Sequence, residues 1–185
     1  MNPGPEGLAG LSAPEVAEAL GLQPHLEGGY FRETYRAAVE VDTAAGPRPL
    51  STAVLFLLAS DSPSRFHRLA SDELWLYHAG ARAELWLLPP KAEGTVEARV
   101  RASRGEAGPM RRALTLSPDR PCAVVPARWW MGARVTSADG PEETGWTLVS
   151  CVVTPGFEYE DFELGNRETL LRYYPAAGDV ILALT

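Results

Sequence analysis

The chain has 185 residues, 45% hydrophobic and 22% charged, with 17 Lys and Arg against 24 Asp and Glu and a net charge of −7. A chain of this length and apolar content is expected to fold as one globular domain over residues 1–185, and its negative field, which repels a phosphate backbone, excludes nucleic acid as a partner. The longest apolar run, 53–59, falls far short of the roughly 20 residues of a membrane-spanning helix, and the first residues lack the features of a secretory signal, so a cytoplasmic protein without a membrane partner is expected.

In chain order, residues 1–10 are rich in Pro and Gly and are expected to be flexible. A short helix is predicted over 13–20, with Ser12 as N-cap, Glu15 as its capping-box partner, Pro14 in the first turn and Gly21 as the stop. Strands are predicted over 30–39, 51–58, 66–69, 73–78, 83–88, 95–101, 111–116, 122–125, 130–136 and 146–154, each bounded by Gly, Pro, Asp or Ser. Cys122 and Cys151 lie in two of these apolar stretches and read as buried free thiols. Short strands at close spacing, with no long helical pattern between them, predict an antiparallel sandwich or barrel. Residues 155–164 read as a turn-rich link, 167–174 as a helix capped by Asn166 and stopped by Pro175, and 179–185 as an edge strand or a segment packed on a partner.

The densest polar cluster runs from Phe66 to Gly80 and holds two of the three histidines. At strand periodicity His67 shares a face with Leu69, and Glu73 with Trp75 and Tyr77, while Leu74, Leu76 and His78 take the opposite face. If the first two sets line a barrel interior, an imidazole and a carboxyl converge on a pocket walled by aromatics, which is the composition of a small-molecule site.

These residues resemble the first signature of the cupin superfamily: His-x-His, three or four residues, Glu, six residues, Gly. His67, Glu73 and Gly80 match, and Leu69 stands at the second histidine. The second signature, Pro-x-Gly-x-x-His, has its counterpart in Pro126 to Met131, with Arg128 at the glycine and Met131 at the histidine. Further phrases are similar to one cupin subfamily without a settled activity, related in fold to the sugar-nucleotide epimerases: Leu22 to Thr34, Ser51-Thr52, Ser71-Asp72-Glu73, Leu148 to Cys151, and Pro155-Gly156-Phe157 with Asp161 to Leu164. The resemblance implies an all-β fold, the double-stranded β-helix or jelly-roll sandwich, here with short N- and C-terminal helices, in a protein that is typically a homodimer.

Full-pattern cupins hold a divalent metal with three histidines and one glutamate. Only His67 and Glu73 match, so they are weak metal candidates and no cofactor is expected. Without metal, His67 and Glu73 are candidates for an acid/base pair that abstracts a proton next to a carbonyl, with Tyr30 or Tyr77 supplying a proton on the opposite face. Arg32, on the Tyr30/Arg32/Thr34 face, is expected to clamp a carboxylate or phosphate, or else to pair with Asp161 or Glu163. Trp75, Tyr77, Arg128 and Met131 complete the candidate ligand contacts. Glu27-Gly28-Gly29 reads as a tight turn at positive φ, His25 as a surface or turn residue, and His78 as packed or at a subunit contact. Trp129 and Trp130 should point to opposite faces, one of them at a pocket mouth or an interface, and residues 157–164 should either fold over the barrel as a lid or pack on its surface. The expected function is the binding, and the isomerisation or epimerisation, of a sugar or hydroxy-acid derivative. The alternative is a non-catalytic ligand-binding or sensing module in which His67 and Glu73 are a hydrogen-bonded remnant of a metal site.

Overall fold

A computed structural model of the chain describes residues 5–90, 112–136 and 145–185. The strand expected over 95–101 lies outside the described residues, as does Arg111. Thirteen strands are described: β1 (Gln23–Pro24), β2 (Tyr30–Arg36), β3 (Glu40–Thr43), β4 (Gly46–Pro49), β5 (Thr52–Ala59), β6 (Ser64–Leu69), β7 (Asp72–Gly80), β8 (Ala83–Leu88), β9 (Arg112–Leu116), β10 (Cys122–Val125), β11 (Trp130–Val135), β12 (Trp146–Thr154) and β13 (Phe162–Leu164). Three helices flank them, α1 (Ala13–Leu20), α2 (Arg167–Tyr173) and α3 (Gly178–Ala183).

The strands form a six-stranded sheet, β1-β2-β5-β12-β7-β10, a five-stranded sheet, β13-β6-β11-β8-β9, and the separate β3–β4 hairpin, with antiparallel pairing throughout. From β5 to β8 and again from β9 to β12, successive strands alternate between the two large sheets, which is the jelly-roll pattern. Period-two alternation sends one set of side chains inward: Phe56 and Leu58 from β5, Trp75 from β7, Leu85 and Leu87 from β8, Met131 from β11 and Val149 from β12 form the core between the sheets.

Each sheet also buries part of its outer face. On the six-stranded sheet, α1 lays Val16, Ala17 and Leu20 against Leu57, Trp146 and Leu148. Its start is fixed as expected, with the Glu15 carboxylate accepting from the Ser12 backbone N–H at 2.8 Å and hydroxyl at 2.5 Å, and Gly21 stops it at φ 63°. Pro5–Leu8 forms a 3-10 turn that buries Leu8 beside α1, while residues 1–4 lie outside the described residues.

On the five-stranded sheet, α2 is capped as expected by Asn166, which accepts from the Thr169 N–H at 3.0 Å. The tail is a helix rather than an edge strand: Val180, Ile181 and Leu184 share one face, at helical spacing, and pack with Phe66, Leu88 and Trp130. Trp129 and Trp130 do point to opposite faces. Trp130 is covered by the C-terminal helices and by the Arg68 guanidinium 4.5 Å from its ring, and Trp129 packs on the core, so neither stands at a pocket mouth. Both cysteines are free, but only Cys151 is buried, because Cys122 faces outward on the edge strand β10.

Candidate functional site

One end of the jelly roll opens into a pocket walled by β2, β5, β6, β7 and β12 and by the segment before β13, with about 120 Å³ of space inside it.

The base of one wall is built by the turn between β1 and β2. His25 N–H donates to the Gly29 carbonyl at 3.1 Å, and Gly28 N–H to the His25 carbonyl at 3.1 Å. Gly28 and Gly29 have φ of 110° and 62°, the positive values that Glu27-Gly28-Gly29 predicts. The turn is clamped to β6, where Arg65 N–H donates to the Glu27 carbonyl at 2.8 Å and its guanidinium to the Leu26 carbonyl. Glu27 is thereby aimed inward and is buried. Its Oε1 accepts from the Ser64 hydroxyl at 2.7 Å, and its Oε2 lies 3.2 Å from His25 Nδ1 and 3.3 Å from His67 Nε2. Burial pushes the Glu27 carboxyl upward, but the charge of His67 and the bonds from His25 and Ser64 outweigh it and hold the group below the usual carboxylate range. His67 Nδ1 is 2.8 Å from the Arg65 carbonyl, so it must be the donor there, while Nε2 faces the Glu27 carboxylate.

Gly28→Ala tests this turn. A Cβ at Gly28 would sit 2.1 Å from the Pro63 carbonyl oxygen, at a φ that side chains rarely adopt. Strain and overlap together should cost about 3 kcal/mol in chemical denaturation. An unchanged unfolding midpoint would contradict the described turn.

On the facing wall, Glu73 is buried with the Trp75 indole N–H donating to its Oε2 at 2.9 Å and the Cys151 thiol beside it. Burial, reinforced by the charge of Glu27, raises the Glu73 carboxyl to about 8, so it is a neutral acid at neutral pH. Burial and these same carboxyl groups push the Cys151 thiol well up, which leaves it an inert thiol.

The mouth is framed by aromatic rings and one ion cluster. Phe162 stacks on His67 at 5.4 Å, Tyr159 on His25 at 6.4 Å, and Phe31 meets His25 edge-on at 4.6 Å. Arg36 bonds Glu33 at 3.1 and 2.8 Å and Glu158 at 2.6 Å, tying the segment after β12 to β2. Residues 157–164 divide: Phe157 and Tyr159 wall the pocket, with Arg48–Asp161 at 2.6 Å anchoring that stretch to the β3–β4 hairpin, whereas 162–164 join the sheet as β13, from which Phe162 also reaches the pocket.

The structure brings some of the predicted residues together at the pocket and places others away from it. His67, Leu69, Glu73 and Trp75 all face the pocket. His67 and Glu73 are not paired with each other, because Glu27 takes the imidazole. Tyr30 and Arg32 alternate to the outer face of β2, where Tyr30 packs with the α1 cluster and Arg32 lies beside Gly21. Asp161 and Glu163, the partners considered for Arg32, are held by Arg48 and Arg68. Tyr77 lies farther along the interior, its hydroxyl donating to the Gly80 carbonyl at 2.5 Å. Arg128 is exposed in a left-handed turn at φ 66°. Met131 is opposite His67 in register but sealed in the core. His78 faces outward and bonds the Ser150 hydroxyl at 2.6 Å. His25 and Glu27 are the members that sequence reasoning missed. Their signal was a histidine and an acid two residues apart, directly before a Gly-Gly turn that folds them back.

A cupin metal does not fit this donor set. Of the four positions where such proteins place ligands, Leu69 has no donor and Met131 offers a buried thioether. Glu73 keeps its proton and His67 Nε2 is engaged by Glu27. Among the described residues no group of three or more His, Cys, Asp or Glu is placed to hold a metal ion.

An antiparallel jelly roll whose end pocket carries His67 and Glu73 at the positions of the first signature defines a cupin-type small barrel. The chain belongs to the cupin superfamily family DUF985, whose model matches residues 14–165. A hypothetical protein from Leishmania major is 33% identical and superposes with a TM-score of 0.78 over 95% of this chain and 99% of its own. A protein from Shewanella oneidensis is 30% identical, with a TM-score of 0.75 over 95% and 98% of the two chains. No curated protein matches the chain. Among the described residues no helix is long and apolar enough to cross a membrane.

Proposed function

We propose that this cupin binds a small carbonyl-bearing metabolite in the end pocket and moves a proton within it, as a metal-independent isomerase or epimerase. One observation carries the reading: two proton carriers in opposite environments line one pocket, a neutral Glu73 and a Glu27 carboxylate held ionised against His67 Nε2. Pairs of titratable groups held apart in this way are a signature of acid–base sites. The Glu27 carboxylate takes a proton from the carbon next to the carbonyl, with His67 Nε2 as its hydrogen-bond donor throughout. Glu73 gives its proton to the carbonyl oxygen, forming an enol. Return of the two protons, one of them to a different carbon or face, completes an isomerisation with no net change in protons.

The test is deuterium exchange. Wild type and His67→Ala are incubated in D2O with a panel of small ketones and aldoses, and loss of the α-proton is followed by NMR. Exchange should fall by at least about 100-fold in His67→Ala. Equal exchange rates and equal binding in the two proteins would remove His67 from the reaction. Protein purified without chelator should carry less than stoichiometric metal in elemental analysis.

A further inference from the structure

Resting on that acid–base reading, we infer that the pocket selects an uncharged or cationic ligand with a flat apolar body and refuses carboxylates and phosphates. Its charges carry the inference. Among the described lining residues Arg36 is the only guanidinium, against the carboxyl groups of Glu27, Glu33, Glu73 and Glu158. Arg36 is fully engaged, with Nη1 on Glu158 at 2.6 Å and Nε and Nη2 on Glu33 at 3.1 and 2.8 Å. Two carboxylates around one guanidinium leave the rim with surplus negative charge. Deeper in, the His67 Nε2 donor already faces Glu27 Oε2, and His25 Nδ1, 3.2 Å from the same oxygen, accepts from the Glu27 backbone N–H at 3.4 Å. Arg32, whose chemistry would suit an anion, stands on the outer face of the sheet.

An entering anion would lose its hydration without a free cation to replace it, and would meet Glu27 and the rim carboxylates. A flat apolar body meets Phe31, Phe157, Tyr159 and Phe162, and an amine gains attraction from both the rings and the rim.

The probes are phenylacetone, 2-phenylethylamine and phenylpyruvate, which carry one benzyl body with no charge, a cation and an anion. They are titrated into the full chain at neutral pH and followed by tryptophan fluorescence and by NMR of the probe. The ketone and the amine should bind at least about tenfold more tightly than phenylpyruvate. The double variant E33Q/E158Q frees Arg36 without touching the proton carriers; it should gain about tenfold for phenylpyruvate and leave phenylacetone unchanged. Wild type binding phenylpyruvate as tightly as the ketone overturns the inference. So does a double variant with no gain, or a failure of all three probes to bind. Proton exchange that is lost while this charge order holds strikes the proposed function alone, whereas a preference for the anion alongside His67-dependent exchange strikes the charge inference alone.

Discussion

Glu27→Ala is expected to destabilise the fold by about 3–5 kcal/mol at pH 7 and to abolish proton exchange, because it strips a buried site of its counter-charge. The carboxylate serves three partners at once, Ser64 at 2.7 Å, His25 at 3.2 Å and His67 at 3.3 Å, all in the wall of the pocket. Its loss leaves a buried hydroxyl without an acceptor and two imidazoles without the group that stabilises their protonated form. The pH dependence has a definite sign. A carboxyl held below its ordinary value of 4.5 in the folded state contributes stability that is present above 4.5 and is lost as pH falls through the folded value. The difference between wild type and Glu27→Ala in denaturant titrations should therefore be full at pH 7 and shrink in acid. A difference below about 0.5 kcal/mol at pH 7, the size of an ordinary surface substitution, would show that Glu27 does not organise the site.

Glu73→Gln should move stability in the opposite direction. The native carboxyl is raised to about 8 from an ordinary value of 4.5, so between these two pH values the unfolded chain releases a proton that the native state retains. Wild-type stability from this group is complete below 4.5 and is lost progressively as pH rises to about 8. Glutamine keeps an acceptor for the Trp75 N–H and has no proton to lose. The two proteins should differ by about 1 kcal/mol or less at pH 5, and Glu73→Gln should be more stable at pH 8 by a margin on the order of 3–5 kcal/mol. His78, pushed down by burial, adds a rising component with pH, but it is common to both proteins and cancels in the comparison. The same substitution should abolish proton exchange, separating stability from chemistry. Parallel pH profiles for the two proteins would contradict a neutral Glu73.

The strands were legible where alternation is unbroken. The period-two pattern across β6 and β7 put His67, Leu69, Glu73 and Trp75 inside and His78 outside, as found. Alternation also implied that Tyr30 and Phe31 face opposite ways, but it could not say which is inside. That choice depends on α1 covering the Tyr30 face, a tertiary fact absent from the local pattern. The β3–β4 hairpin was hidden by Pro47 and Pro49, which argue against a strand when read locally yet suit a two-stranded ribbon with free edges. The tail misled because Val180, Ile181 and Leu182 are β-branched or apolar in sequence, whereas the core contacts follow a helical stripe.

Within the site, half of the chemistry lay in the signature and half in a turn. The signature gave His67 and Glu73 and suggested that they touch. Their separation follows from Glu27, which reaches His67 only because Gly28 and Gly29 turn the chain back over β6. Long-range pairing of this kind, 40 residues apart in sequence, leaves no periodic trace.

The most direct test of this account is a carbon-13 NMR titration of protein labelled at the glutamate carboxyl carbons. One resonance should titrate near pH 8, vanish in Glu73→Gln, and stand apart from a Glu27 signal that titrates below 4.5. If every glutamate titrates within the ordinary carboxylate range, Glu73 is ionised at neutral pH, and the pocket lacks the acid on which the proposed chemistry depends.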